Sequence, residues 1–180
     1  MIRSIMGQAN RDGGSSLLKG VKGMERYKNI LVDLNYIEKF YDEVSNQEPL
    51  YIFIRGHLYL ESMMIQMIQK YFPCELKDTI FNFAHKVELI SAMGYISSEL
   101  KRGILKVNRV RNNLAHNIDM QLDDNVINDI MNSLPKNSKD KIIKNYEQSS
   151  ISILTGIFFE LFAKLVFHLD YPYIEYQTER

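Results

Sequence analysis

Leu100-Lys101-Arg102-Gly103-Ile104-Leu105-Lys106-Val107-Asn108-Arg109-Val110-Arg111-Asn112-Asn113-Leu114-Ala115-His116 sets apolar residues at 100, 104, 107 and 114, and Ile118 extends the series. That spacing is one buried face of an α-helix. Arg111 falls in the middle of the stripe, where the pattern asks for an apolar side chain. A guanidinium keeps its charge at ordinary pH and is rarely buried unless paired. Arg111 must therefore find a carboxylate or line a site that receives an anion.

The same periodicity runs along most of the chain. Ile30, Leu31, Leu34, Ile37, Phe40, Tyr41 and Val44 form a first helical series, closed by the polar Ser45-Asn46-Gln47-Glu48. Pro49 suits the first turn of a second helix reaching about residue 71, and Pro73 would stop it. A third helix is expected over residues 79–93, with Ile80, Phe83, Ala84, Val87 and Ile90 on one face and Gly94 near its end. Residues 119–144 are polar, with a short helical stretch over 126–134 and a break at Pro135, and lead into a long last helix over 151–169. No alternating strand pattern and no repeat interrupts this order. The expected fold is all-α: an up-and-down helical bundle in one domain over residues 25–180, preceded by a mobile arm over residues 1–24.

Bulk properties narrow the function. The 180 residues carry 22 Lys+Arg and 22 Asp+Glu, so no global basic field marks a nucleic-acid binder and any polyanion site must be local. The single cysteine, Cys74 beside Pro73, reads as an inert thiol; it rules out an intramolecular disulfide and fits a reducing cytoplasm. Residues 151–169 are long enough to cross a bilayer, but Glu160 and Lys164 occupy their centre and Ser152, Thr155, Gly156 and His168 interrupt them. This suits a core helix better than a lipid-facing one, and no membrane partner is expected. The apolar residues of that helix wrap most of its circumference, and Leu89 and Met93 lie off the main stripe of the third helix, so a homodimer is expected.

A second anomaly lies in the second helix. His57 and Glu61, one turn apart, interrupt the series Leu50, Ile54, Leu58, Met64, Ile65, Ile68 and Phe72. The structural reading of both anomalies is a Glu61–Arg111 ion pair with His57 hydrogen-bonded nearby, holding two helices in register. His116 is separated from Arg111 by about 140° of rotation and about 7.5 Å of rise, so the two do not share a helix face. Instead Arg109, Asn112, Asn113 and His116 share one, a strip that is either solvated or an anion site. Met63, Met64 and Met67 read as core filling. Asp119, Asp123 and Asp124 lack the spacing of a metal loop and read as a solvated acidic turn, while His57, His85, His116 and His168 fall on different helices or faces. Neither a metal nor a cofactor is expected.

Arg111-Asn112-x-x-x-His116 resembles the signature of the HEPN superfamily: arginine, a polar residue, three positions and histidine on a late helix of an all-α bundle. Two further blocks agree in order and spacing with HEPN proteins of the mannitol operon repressor type. These are Arg55-Gly56-His57-Leu58-Tyr59-Leu60-Glu61, and Phe83-Ala84-His85-Lys86-Val87 leading to Ala92-Met93-Gly94. The likeness covers residues 49–117. It implies metal-independent RNA cleavage, as in a toxin or phage-defence effector, by a homodimer whose motif helices lie near the two-fold axis. Carried onto this chain, His116 would move the proton of the ribose hydroxyl, Arg111 would neutralise charge on the phosphorane, and Asn112 would orient either group. Arg109 and Asn113 would help bind the RNA, with His57 and Glu61 behind them. The same likeness suits a non-catalytic regulatory module that works through protein contacts, with an antitoxin or regulatory protein as partner. A directly DNA-binding repressor has least support, because no helix-turn-helix with a basic recognition helix is legible.

Overall fold

The computed structural model describes residues 34–45, 47–72 and 81–170, without the side chains at 34, 35 and 168–170. Expectations on the arm over 1–24, on Ile30, Leu31, Pro73, Cys74, Thr79 and Ile80, and on the His168 side chain lie outside these. Among the described residues there are seven helices and no strand: α1 (Leu34–Val44), α2 (Pro49–Gln69), α3 (Phe83–Ala92), α4 (Ser98–His116), α5 (Asp124–Ser133), α6 (Lys136–Asn145) and α7 (Ser150–Asp170). The all-α reading holds.

Local chemistry sets the helix ends. Pro49 opens α2, where its missing N–H costs nothing. Helix α3 starts at Phe83 because Asn82 caps it, its Oδ1 accepting from His85 N at 2.9 Å. It stops at Gly94, whose φ of 79° lets the chain turn while Tyr95 N returns to Ile90 O at 3.0 Å. Asp123 is a cap as well, accepting from Val126 N at 2.9 Å, and Asp124 receives a hydrogen bond from Ser150 Oγ. Asp123 thus starts α5 and Asp124 ties that start to the beginning of α7, where the sequence suggested only a solvated turn. Helix α6 is an element the polarity of residues 136–145 concealed; Ser138 and Ile142 are its buried contacts.

The core lies along α2 and α7, which pack on each other. Their close approach needs Gly56, where a Cβ would fall 2.3 Å from the Phe158 ring. Phe53 meets Phe158 edge-on at 5.4 Å, and Phe40 of α1 stacks on Phe162 at 4.0 Å. Met63, Met64 and Met67 are buried, as core filling requires. Two of the polar groups inside are satisfied, Thr155 Oγ1 donating to Val44 O at 3.2 Å and Ser138 Oγ donating to Glu160 Oε1 at 3.0 Å, whereas the buried Ser45 hydroxyl has no partner among the described residues.

The last helix takes the core role expected of it, and α2 differs from expectation. The stretch Ser150–Phe167 has the length and hydropathy of a membrane span. Packing gives it a core role: Leu154, Ile157, Phe158, Leu161 and Leu165 are fully enclosed by the chain's own helices, and Leu89 and Met93 are half-buried. Ile151 and Phe167 of α7 stay exposed, and a larger apolar surface lies on α2, where Leu50, Tyr51, Ile54 and Leu58 are 38–54% exposed. The series expected to be buried is thus partly the outer face. Helix α2 is apolar on nearly all sides, and its buried arc is centred on Phe53, Gly56, Leu60, Met63 and Met67.

Candidate functional site

Helix α4 is built to hold its motif out from the bundle. Ser97 caps its start, Oγ accepting from Leu100 N at 3.2 Å, and Leu100, Gly103, Ile104, Val107 and Val110 form its buried face. Beyond Val110 that face is only partly covered. Arg111, Asn112, Asn113, Ala115 and His116 are exposed, Leu114 is half-buried, and Ile118 is 98% exposed. Within α4 the apolar phase thus continues past the buried part only at Leu114, before the helix ends at His116. For that reason Arg111, correctly placed in phase, is not buried.

The expected Glu61–Arg111 pair does not form. Glu61 Oε1 accepts from Lys86 Nζ at 2.6 Å, and Lys86, only 4% exposed, is the cation that the interior contains. Lys86 lies at the phase of Phe83, Val87 and Ile90, so it carries the same signal as Arg111: a charge inside an apolar stripe. Only Lys86, in the middle of its helix, has a core on that side. Arg111 has no ion pair among the described residues; its closest polar contact is Asn112 Oδ1, 3.5 Å from Nη1.

His57 lies between these groups. Its ring, 5% exposed, stacks on Phe83 with centroids 4.2 Å apart, and its Nε2 lies 3.3 Å from Asn108 Oδ1 on α4. A neutral ring facing a carbonyl oxygen carries its proton on that nitrogen and donates. Burial holds the imidazole below its ordinary pKa; the Asn108 hydrogen bond and the Glu61 carboxylate oppose this, while Arg111 and Lys86 act with burial. Asn108, which the sequence did not single out, therefore ties α4 to α2 one turn before the motif.

Of the sequence-predicted residues, Arg109, Arg111, Asn112, Asn113 and His116 all lie on the exposed part of α4. His57 and Glu61 lie beneath, in contact with Asn108 and Lys86 respectively. Among the described residues no contact joins His116 to Arg111, as their helical separation requires. Chemically the end of α4 offers two guanidinium groups, two amides and an imidazole to a solvent-borne anion, with no carboxylate among the described residues ion-paired to either arginine. No protein-family model matches the chain, and no curated protein or solved structure matches it.

Proposed function

We propose that the chain is a metal-independent RNA endonuclease of HEPN type, acting as a homodimer. The observation that carries this reading is the exchange of partners at Glu61. Because Lys86 neutralises that carboxylate, Arg111 is left exposed at the end of α4, on a different face from Arg109 and His116, and open to phosphate. In the reaction the ribose 2′ oxygen attacks the adjacent phosphorus and the bond to the 5′ oxygen breaks. One His116 takes the 2′ proton, a second acid protonates the leaving oxygen, and Arg111 neutralises the phosphorane charge. Asn112, in contact with the Arg111 guanidinium, orients it. The separation of Arg111 and His116 on α4 is met by a second copy contributing the missing group. The exposed Leu50, Tyr51, Ile54 and Leu58, on the helix that carries His57, supply apolar surface for that copy.

The α2 stripe also favours a second reading, a regulatory module of the mannitol operon repressor type with a protein partner on that surface. One assay separates the two. Purified protein in chelator is incubated with several RNAs beside His116→Ala. Cleavage by the wild type that the variant lacks supports the nuclease; intact RNA throughout leaves the module, with an antitoxin or regulatory protein as its partner.

A further inference from the structure

A second cationic site lies at the other end of α4. Arg102 from α4 and Lys136 and Lys139 from the start of α6 line a cavity of about 260 Å³ with Glu99, Asn132 and Ser133. None of the three cations forms an ion pair among the described residues, whereas Lys39, Arg55, Lys86, Lys101, Lys106 and Lys141 all do. Three cations against the single carboxylate of Glu99 make a local positive excess in a chain of zero net charge. They stay close together because α5 and α6 are joined through Leu134 and Pro135, and Leu134 is pinned against Gly103 of α4. Two of the lysines occupy the first turn of α6, which has no acidic residue and no capping side chain. Cations there oppose the helix dipole as well as one another, and an anion in the cavity relieves both conflicts.

The cavity is connected to the motif by one face of α4. Arg102, Lys106, Arg109, Asn113 and His116 follow each other at intervals of four, three, four and three residues, one continuous ridge. Lys106 is neutralised by Asp129 of α5; Arg102 and Arg109 form no ion pair among the described residues. From Arg102 to His116 the ridge rises about 21 Å, a length that a single strand covers in a few nucleotides.

We propose that this cavity holds a backbone phosphate of single-stranded RNA whose scissile phosphate lies at the motif, so that α4 measures the distance between anchor and cut. The proposal rests on the nuclease reading for its ligand, yet it stands on residues which that reading does not use. Its chemistry is phosphate recognition by one guanidinium and two ammonium groups, independent of base identity.

The test is binding of a fluorescein-labelled oligouridylate of about ten nucleotides, measured by anisotropy across a salt series. The full-length protein carries His116→Ala so that the strand survives. Into it are placed Arg102→Gln, Lys136→Gln and Lys139→Gln together, or a charge-matched control with Lys39→Gln, Lys144→Gln and Lys164→Gln. Three lost phosphate contacts should make the salt slope shallower by about 2 and weaken binding about tenfold or more near 0.1 M salt. The control should keep the parental slope, and both variants should melt with the parent. Equal losses in the two variants, or none in either, overturn the cavity as an anchor. So does inorganic tripolyphosphate that binds the parent but not the cavity variant while RNA affinity is unmoved, because the ligand is then a free polyphosphate. Cleavage is scored separately with His116 restored. If RNA stays intact but binding depends on the cavity, the nuclease reading fails alone; if RNA is cut with equal efficiency by the cavity variant, the anchor fails alone.

Discussion

Lys86 and Arg111 are both cations placed in apolar stripes, and their opposite fates give the sharpest predictions. Lys86 is buried and its partner Glu61 keeps about a quarter of its side-chain surface in water, 27%. Glu61→Gln leaves the ammonium without its counter-charge and should cost about 3 kcal/mol, near the lower end for a broken buried pair. Lys86→Met with Glu61→Gln should show strong coupling in denaturant unfolding. Arg111→Ala with Glu61→Gln should be additive within about 0.5 kcal/mol, and coupling as large as that of Lys86 would restore the pairing of Glu61 with Arg111. His57 adds a pH dependence. Its folded pKa lies below the unfolded value near 6.5, so the unfolded chain binds the proton first as pH falls. The stabilising effect of the neutral ring is present above about pH 6.5 and is lost as pH drops from there through the lowered folded pKa. His57→Gln should flatten that part of a stability-versus-pH curve measured by denaturant unfolding, and an unchanged curve would show that the ring does not titrate between the two states.

At the scale of elements, Gly56 decides how closely α2 and α7 approach. Gly56→Ala puts a methyl into the body of the buried Phe158 ring, so the helices must part. The expected cost is about 1–3 kcal/mol or more, read as a melting temperature lower by roughly 3–10 °C. Gly103→Ala meets only the flexible end of Leu134 at 2.6 Å and should lower the melting temperature less. Periodicity made most helices legible: α2, α3, α4, α5 and α7 lie within a few residues of where apolar spacing, Pro49 and Gly94 put them. It failed where polarity or excess apolarity hid the phase. Helix α6 buries only Ser138 and Ile142, too little to mark a face. Helix α2 is apolar on two sides, so spacing could not say which side met the core. For α4 the phase was right but its end point was not visible, because sequence does not show where a neighbouring helix stops covering a face. That one gap separates the expected buried Arg111 from the exposed one.

For the whole molecule, the apolar surface left open on α2 is the surface to perturb. Light scattering at micromolar concentration should give a dimer, and Ile54→Arg should give a monomer with unchanged helicity, since Ile54 is already 38% exposed. A dimer that persists with Ile54→Arg would move the interface elsewhere. Loss of cleavage in that monomer would join the interface to the site; full activity would show that one chain suffices. Lys86 satisfies Glu61, and the proposed role leaves Arg111 to bind phosphate. Arg111→Ala is assayed in chelator for cleavage of single-stranded RNA and, on the same preparation, for thermal unfolding. That role predicts that cleavage by the wild type is abolished in the variant while melting stays within about 2 °C of it, the shift expected of an exposed side chain. A variant that still cleaves, or one that loses cleavage only because it unfolds many degrees earlier, would contradict it.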